Sequence, residues 1–345
     1  MATRIIGTLR DNLVRIIPQK KSVVSLEAVR HNNSQINRLY EPNLVAVFGT
    51  ICTPFNYSQN PELIDRRAVG GTSGIGESTA RAFVRNAEAP HVYLIGRSEE
   101  RASKLAAEFQ QMKPDGQIHF IKSDVSLLRE VNRVCRAIWE KEEKVNPLFL
   151  SPGIGTMTLN VTVSISISKS WCSPILSCMN ILLETDEGLD RKLNLFYYSR
   201  MRFVTGLLPL LTKAAEGRGL SRVVSVLGPI GEGALNLDDL SLKTHYSPLN
   251  FNRHAVTMNS VSMEHLASSY PQTSFVHSFP GIVKTSLGRG MGPVGRYAAH
   301  ALMFLLKPWE VPFDESGERQ MCSNESAVST ANMEGQCCRG CCRRL

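Results

Sequence analysis

The chain has 345 residues, of which 43% are hydrophobic, 20% charged and 7% aromatic, a composition that excludes collagen, coiled coil and bulk disorder. Its formal charge of +8 sits at the ends: residues 1–40 hold seven basic side chains against two acidic ones, and residues 335–345 hold three basic and no acidic. The neutral body between them lacks the basic face that phosphate backbones require, which excludes nucleic acid as a partner, and no apolar run approaches the roughly 18 residues of an integral membrane span.

In chain order, Ile5, Leu9, Leu13 and Ile16 form one helical stripe ringed by Arg4, Arg10 and Arg15 before Pro18 ends the run. This reads as a solvated helix within a basic N-terminal extension over 1–40; a mitochondrial leader or a membrane-surface helix are the alternatives. The next segment, 41–320, alternates strand and helix. Apolar strands are predicted at 44–48, 91–95, 118–121, 148–150, 222–226 and 274–277. Helices are predicted after the glycine cluster at 69–76, then over 99–112, 127–144, 189–215 and 255–268. Repeated strand–helix units of this kind predict a single α/β domain, a doubly wound parallel sheet of Rossmann type.

The odd count of nine cysteines argues for reduced thiols and a cytoplasmic chain without a disulfide framework. Four of them crowd the tail as Cys337, Cys338, Cys341 and Cys342, among arginines. The tail, 321–345, reads as disordered, with acylation or a soft metal as the alternatives; no second cysteine pair stands at metal-finger spacing, so no metal site is predicted.

The glycine cluster carries the clearest chemistry. Gly70 turns the chain off its strand, Gly74 lets backbone approach a pyrophosphate, and Gly76, beside Ile75, lets the helix pack on the sheet; the helix N-terminus then offers unpaired N–H groups to the anion. With Asp124-Val125 after the third strand and Pro280-Gly281-Ile282-Val283-Lys284-Thr285 after the sixth, the segment from about Leu44 to Gly290 resembles the short-chain dehydrogenase/reductase family. Its texture is most similar to fungal members of natural-product pathways. The resemblance implies an adenine contact at Asp124 and Val125 and nicotinamide contacts at Val283 and Thr285. Arg97, just past the second strand, stands where NADP-dependent members carry a basic residue, which implies NADP(H) as cofactor. A small-molecule carbonyl or alcohol as substrate, secondary-metabolite biosynthesis as the setting, and a homo-oligomer follow from the same likeness.

The family's catalytic positions are not filled. Counting back from Glu264-His265-Leu266-Ala267 places the tyrosine position on Asn252 and the lysine position on Val256. The serine position falls on Leu227 or Gly228 and the asparagine position on Phe196, while Ser225 reads as a core hydroxyl and His254 as a packing histidine. Tyr246 and His245, on the loop before that helix, are the nearest substitutes, and the sequence shows no lysine beside the tyrosine. No catalytic residue is assigned. Two segments interrupt the pattern, 49–68 between the first strand and its glycine loop and 154–183 after the fourth strand. Surface insertions or non-coding sequence retained in the gene model both account for them. An oxidoreductase with unusual catalytic groups, a cofactor-binding pseudoenzyme and an inactive product of mis-splicing therefore remain in competition.

Overall fold

Six parallel strands in the order β3-β2-β1-β4-β5-β6 form the centre of the computed structural model. The structure describes residues 25–40, 42–49, 74–153, 184–216, 219–228, 231–281, 283, 307 and 310–321. The stripe at 1–17, the greater part of both interrupting segments and the cysteine tail lie outside the described residues. The strands are β1 (Val45–Gly49), β2 (His91–Gly96), β3 (Gln117–Lys122), β4 (Pro147–Leu150), β5 (Arg222–Val226) and β6 (Ser274–Ser278).

Alternation along each strand builds two cores. Val45 and Val47 of β1, Tyr93 and Ile95 of β2, and Leu148 and Leu150 of β4 face one side. There they meet Val131 and Val134 of α5 (Leu128–Trp139) and Phe203 and Leu207 of α7 (Ser199–Ala214). Ala46, Phe48, Val92, Leu94 and Phe149 face the other, against Phe83 and Val84 of α3 (Ile75–Asn86) and Leu105 and Phe109 of α4 (Glu99–Met112). Burial on both faces is why these strands read as continuous apolar runs. The order in which strands are added reverses between β1 and β4, so the crevice for a ligand opens at the carboxyl ends of those two strands.

Three features depart from the sequence reading. The single helix expected over 189–215 is broken into α6 (Arg191–Leu193), a π-turn (Asn194–Tyr198) and α7; the Ser199 N–H reaches back five residues to the Asn194 carbonyl. The helix expected from Ala255 starts at Pro248, as α8 (Pro248–Ser269), because proline suits the first turn and Ser247 caps it by accepting from the Asn250 N–H. Finally, a helix that the sequence did not announce, α9 (Phe313–Met321), covers α3. Ser78 of α3 donates to the Phe313 carbonyl at 2.8 Å, and a Cβ on Gly317 would collide with Ser78.

Part of the N-terminal segment joins this corner. α1 (Leu26–Ser34), followed by α2 (Ile36–Leu39), buries Val29, Asn33 and Ile36. The Asn33 amide donates to one Glu318 carboxylate oxygen at 2.7 Å, and Arg85 of α3 pairs with the other at 2.7 Å.

Candidate active site

The crevice is bounded first by the start of α3. Gly74 adopts φ 76°, ψ −157°, and the space where a Cβ would stand is open. Side chains disfavour that φ, so glycine is required here. No side chain among the described residues caps α3, and the N–H groups of its first turn have no partner within the helix. Ile75 is half-buried against the core and Gly76 is buried. Gly70 and Thr285 lie outside the described residues.

Past β2, the Arg97 guanidinium is largely buried, and its Nε and one Nη have no hydrogen-bond partner among the described residues. Burial lowers its pKa; the charge of Asp124 pulls the other way. Asp124 follows β3 and is itself heavily engaged. It accepts from the Ser126 N–H at 3.0 Å and hydroxyl at 2.7 Å, and pairs with Arg191 of α6 at 2.7 Å. Burial works to raise the Asp124 pKa, but the Ser126 hydrogen bonds and the Arg191 charge outweigh it and hold the carboxyl below the usual range. Arg191 Nε is likewise without a partner among the described residues. Two guanidiniums around one carboxylate leave a net positive pocket with donors to spare. Val125 is fully buried in the core, and Val283, past β6, is half-buried.

On the far side of the switch point, Asn252 and Val256 both approach Gly231, just past β5. α8 carries no tyrosine or lysine anywhere along its length. Phe196 lies inside the π-turn, where its carbonyl accepts from the Asn259 amide at 2.8 Å. Ser225 is fully buried, bonded to Arg200 at 2.8 Å and to Asn259 at 3.1 Å. His254 is buried and its Nε2 accepts the Asn236 N–H, while the His245 imidazole lies against Thr244 and Asp239.

Sequence reasoning missed two groups. Arg200 of α7 is fully buried and binds the carbonyls of Leu195, Leu150, Pro152 and Val226 together with Ser225 Oγ, locking the ends of β4 and β5. Burial lowers its pKa, and no carboxylate pairs with it among the described residues. The signal was present: Arg200 shares helical spacing with Phe196, Phe203, Val204 and Leu207, the apolar face. The second is Lys192 of α6, whose ammonium lies 3.2 Å from the Tyr246 hydroxyl, correcting the expectation that Tyr246 lacks a lysine neighbour. That pairing joins residues 54 apart and leaves no local pattern.

No helix among the described residues is long and apolar enough to cross a membrane, and no cluster of metal-ligating side chains occurs among them. A family model described as short chain dehydrogenase matches residues 68–173, starting beyond β1. Oxidoreductase AN1596 of Emericella nidulans is 38% identical over 307 residues, covering 88% of this chain and 78% of that protein. Oxidoreductase andH of Emericella variicolor is 37% identical over 272 residues, covering 77% and 72%. Among solved structures, L-sorbose reductase from Gluconobacter frateurii complexed with NADPH and L-sorbose aligns with a TM-score of 0.53 at 15% identity over 86% of this chain and 94% of that one, a likeness of fold. With the parallel sheet in place, these matches identify the chain as a member of the short-chain dehydrogenase/reductase family.

Proposed function

We propose that the chain is an NADP(H)-dependent oxidoreductase acting on a carbonyl or alcohol group of a small organic molecule, in secondary-metabolite biosynthesis. The observation that carries the cofactor choice is Arg97: a buried guanidinium at the end of β2 with two nitrogens lacking partners among the described residues. Such donors are costly to leave unmade and match the oxygens of a 2′-phosphate. The open turn at Gly74 and the uncapped start of α3 fit the pyrophosphate. When bound, the nicotinamide supplies or accepts a hydride. The chain holds the adenosine phosphate through Arg97, offers N–H donors to the pyrophosphate, and walls the nicotinamide side with the apolar cluster around Phe196, Leu227 and Phe251. That lining favours an uncharged, largely apolar substrate. The fungal relatives and the NADPH held by L-sorbose reductase support the same reading.

A second reading, a cofactor-binding pseudoenzyme, is favoured by the contents of the four catalytic positions. One experiment separates the two: titrate NADPH and NADH by quenching of protein fluorescence, then follow NADPH consumption against a panel of ketones and aldehydes. The oxidoreductase reading expects tighter NADPH than NADH binding and turnover of at least one carbonyl. Binding without any turnover leaves the pseudoenzyme, and no binding of either nucleotide overturns both.

A further inference from the structure

Two turns that lie far apart in sequence are joined by α9. One is the Gly74 turn that opens α3; the other, Pro280-Gly281, leaves the carboxyl end of β6 with Gly281 at φ 80°. The second turn adjoins the residues past β5 on the far side of the switch point. There the Ser278 carbonyl accepts the Leu227 N–H at 3.0 Å, and the Phe279 ring comes within 3.3 Å of the point where a Cβ on Gly228 would stand. Towards the first turn, the Ser78 N–H makes the opening bond of α3 to the Gly74 carbonyl at 3.2 Å, and the Ser78 hydroxyl donates to the Phe313 carbonyl of α9 at 2.8 Å. Towards the second, the Ser316 hydroxyl of α9 donates to the Pro280 carbonyl at 3.2 Å. Val311, just before α9, fills the space over Gly281, where a Cβ would stand 2.7 Å from its Cγ2. Ser78 and Ser316 are 3% and 1% exposed, so water does not compete for either hydroxyl. Phe313 and Ser316 stand within one turn of the same helix, which makes the two ties move together.

We propose that Ser78 and Ser316 are positioning residues for the nucleotide, acting through α9 to hold the Gly74 turn and the Pro280-Gly281 turn at a fixed separation. This rests on the NADP(H) reading above, in which the pyrophosphate lies at the Gly74 turn and the nicotinamide beside Leu227. A dinucleotide has to meet both sides of the crevice at once, so fixing the two turns in advance lowers the entropy lost on binding. Both hydroxyls are engaged with backbone carbonyls, and cutting either tie lowers affinity without removing a group that holds the nucleotide. A ligand that occupies only the adenosine end does not sense the tie. The two serines also act as one unit. Once either bond is lost, the other holds α9 to a single turn and no longer sets a separation, so the two losses do not add. The Asn33–Glu318–Arg85 network holds α9 from α1 and from α3, which keeps it a fixed bridge.

The test uses the full chain as wild type, Ser78→Ala, Ser316→Ala and the double variant, each shown to be folded by thermal melting. The ligands are NADPH and adenosine 2′,5′-bisphosphate, which carries the adenosine and the 2′-phosphate but no nicotinamide. S78A and S316A are each expected to weaken NADPH binding about fivefold, the size of one hydrogen bond, and to keep the bisphosphate Kd within about twofold. The double variant is expected to lose about fivefold as well, where two independent losses would give about 25-fold. A measurement on wild type needs no variant: NADPH is expected to slow amide hydrogen exchange across 313–321, and the bisphosphate to slow it less. An NADPH Kd within about twofold of wild type in either single variant overturns the inference and leaves the NADP(H) reading standing. Equal losses for the two ligands, additive losses in the double variant, or exchange in α9 that NADPH leaves unchanged do the same. Wild-type protein that binds neither ligand overturns the inference together with the NADP(H) reading.

Discussion

Replacing Arg97 by Gln is the sharpest probe of cofactor choice, because it removes the charge and the fork while keeping a polar side chain. The guanidinium has two nitrogens without partners among the described residues. Each charge-assisted hydrogen bond to a phosphate contributes about 1.5 kcal/mol or more, so losing two weakens NADPH binding by about 3 kcal/mol, roughly 100-fold. NADH has no 2′-phosphate, and its affinity is expected to stay within about threefold, since it loses no such bond. With Arg97 gone, Arg191 and Asp124, paired at 2.7 Å, leave the pocket formally neutral, so neither offsets the loss. Fluorescence titration of both nucleotides gives the ratio directly. Thermal melting without nucleotide gives a control of opposite sense: R97Q is expected to melt no lower than wild type, because the removed group is buried with donors unused. Equal loss of NADPH and NADH affinity, or no loss of either, refutes the assignment of Arg97 to the 2′-phosphate.

Three further outcomes follow from the packing. Gly317→Ala places a Cβ against Ser78, where a backbone atom of α3 stands 2.6 Å away, so α9 has to move. A loss of about 1–3 kcal/mol in urea unfolding is expected, and an unchanged midpoint contradicts the close helix approach. Arg200→Lys exchanges a five-donor fork for three donors and leaves buried acceptors among Leu195, Leu150, Pro152, Val226 and Ser225 unpaired. A cost of about 2–4 kcal/mol is expected in the same assay, and a neutral outcome shows that lysine or water replaces those bonds. His277, buried and close to the Arg200 charge, has its pKa lowered to about 3. Between that value and the ordinary 6.5 the unfolded chain binds a proton that the native chain does not, so stability falls as pH drops through this window, by about 2 kcal/mol at pH 5. His119, whose pKa burial also lowers, acts in the same direction. Stability measured from pH 7 to 5 should therefore fall less steeply in His277→Asn than in wild type, and identical slopes count against a neutral buried imidazole.

The strands were legible because burial on both faces writes them as short apolar runs, and the Gly74–Gly76 turn because its geometry demands glycine. β1 shows how far this holds: it occupies the slot between β2 and β4 although residues 50–73 separate it from α3. α9 was illegible for the opposite reason. Its sequence, Phe-Asp-Glu-Ser-Gly-Glu-Arg-Gln-Met, has no apolar stripe, and it is buried through a glycine contact and the Asn33–Glu318–Arg85 network. The π-turn is equally silent in sequence, since it is a local shift in hydrogen-bond partner paired with a distant amide, Asn259. Arg97 and Asp124 were found by their place after strands; Arg191 and Lys192 were not, because their partners lie more than 50 residues away.

Arg97 and Arg200 show how one residue type serves opposite ends of this crevice. Burying a guanidinium costs several kcal/mol unless its donors are met, so each arginine is informative through its donors. Those of Arg200 are spent on four carbonyls and a hydroxyl, which makes it part of the frame at the ends of β4 and β5. Those of Arg97 are unspent among the described residues, which is the observation the proposed NADP(H) reading rests on. The Arg200 charge is not spent with its hydrogen bonds, because it has no carboxylate partner among the described residues, and its field already helps keep His277 neutral. The same guanidinium binds the Pro152 carbonyl, just past β4. The empty catalytic positions are thus accompanied by a frame tied from inside, through Arg200, at the ends of β4 and β5, which is why they do not by themselves argue for a chain that fails to fold.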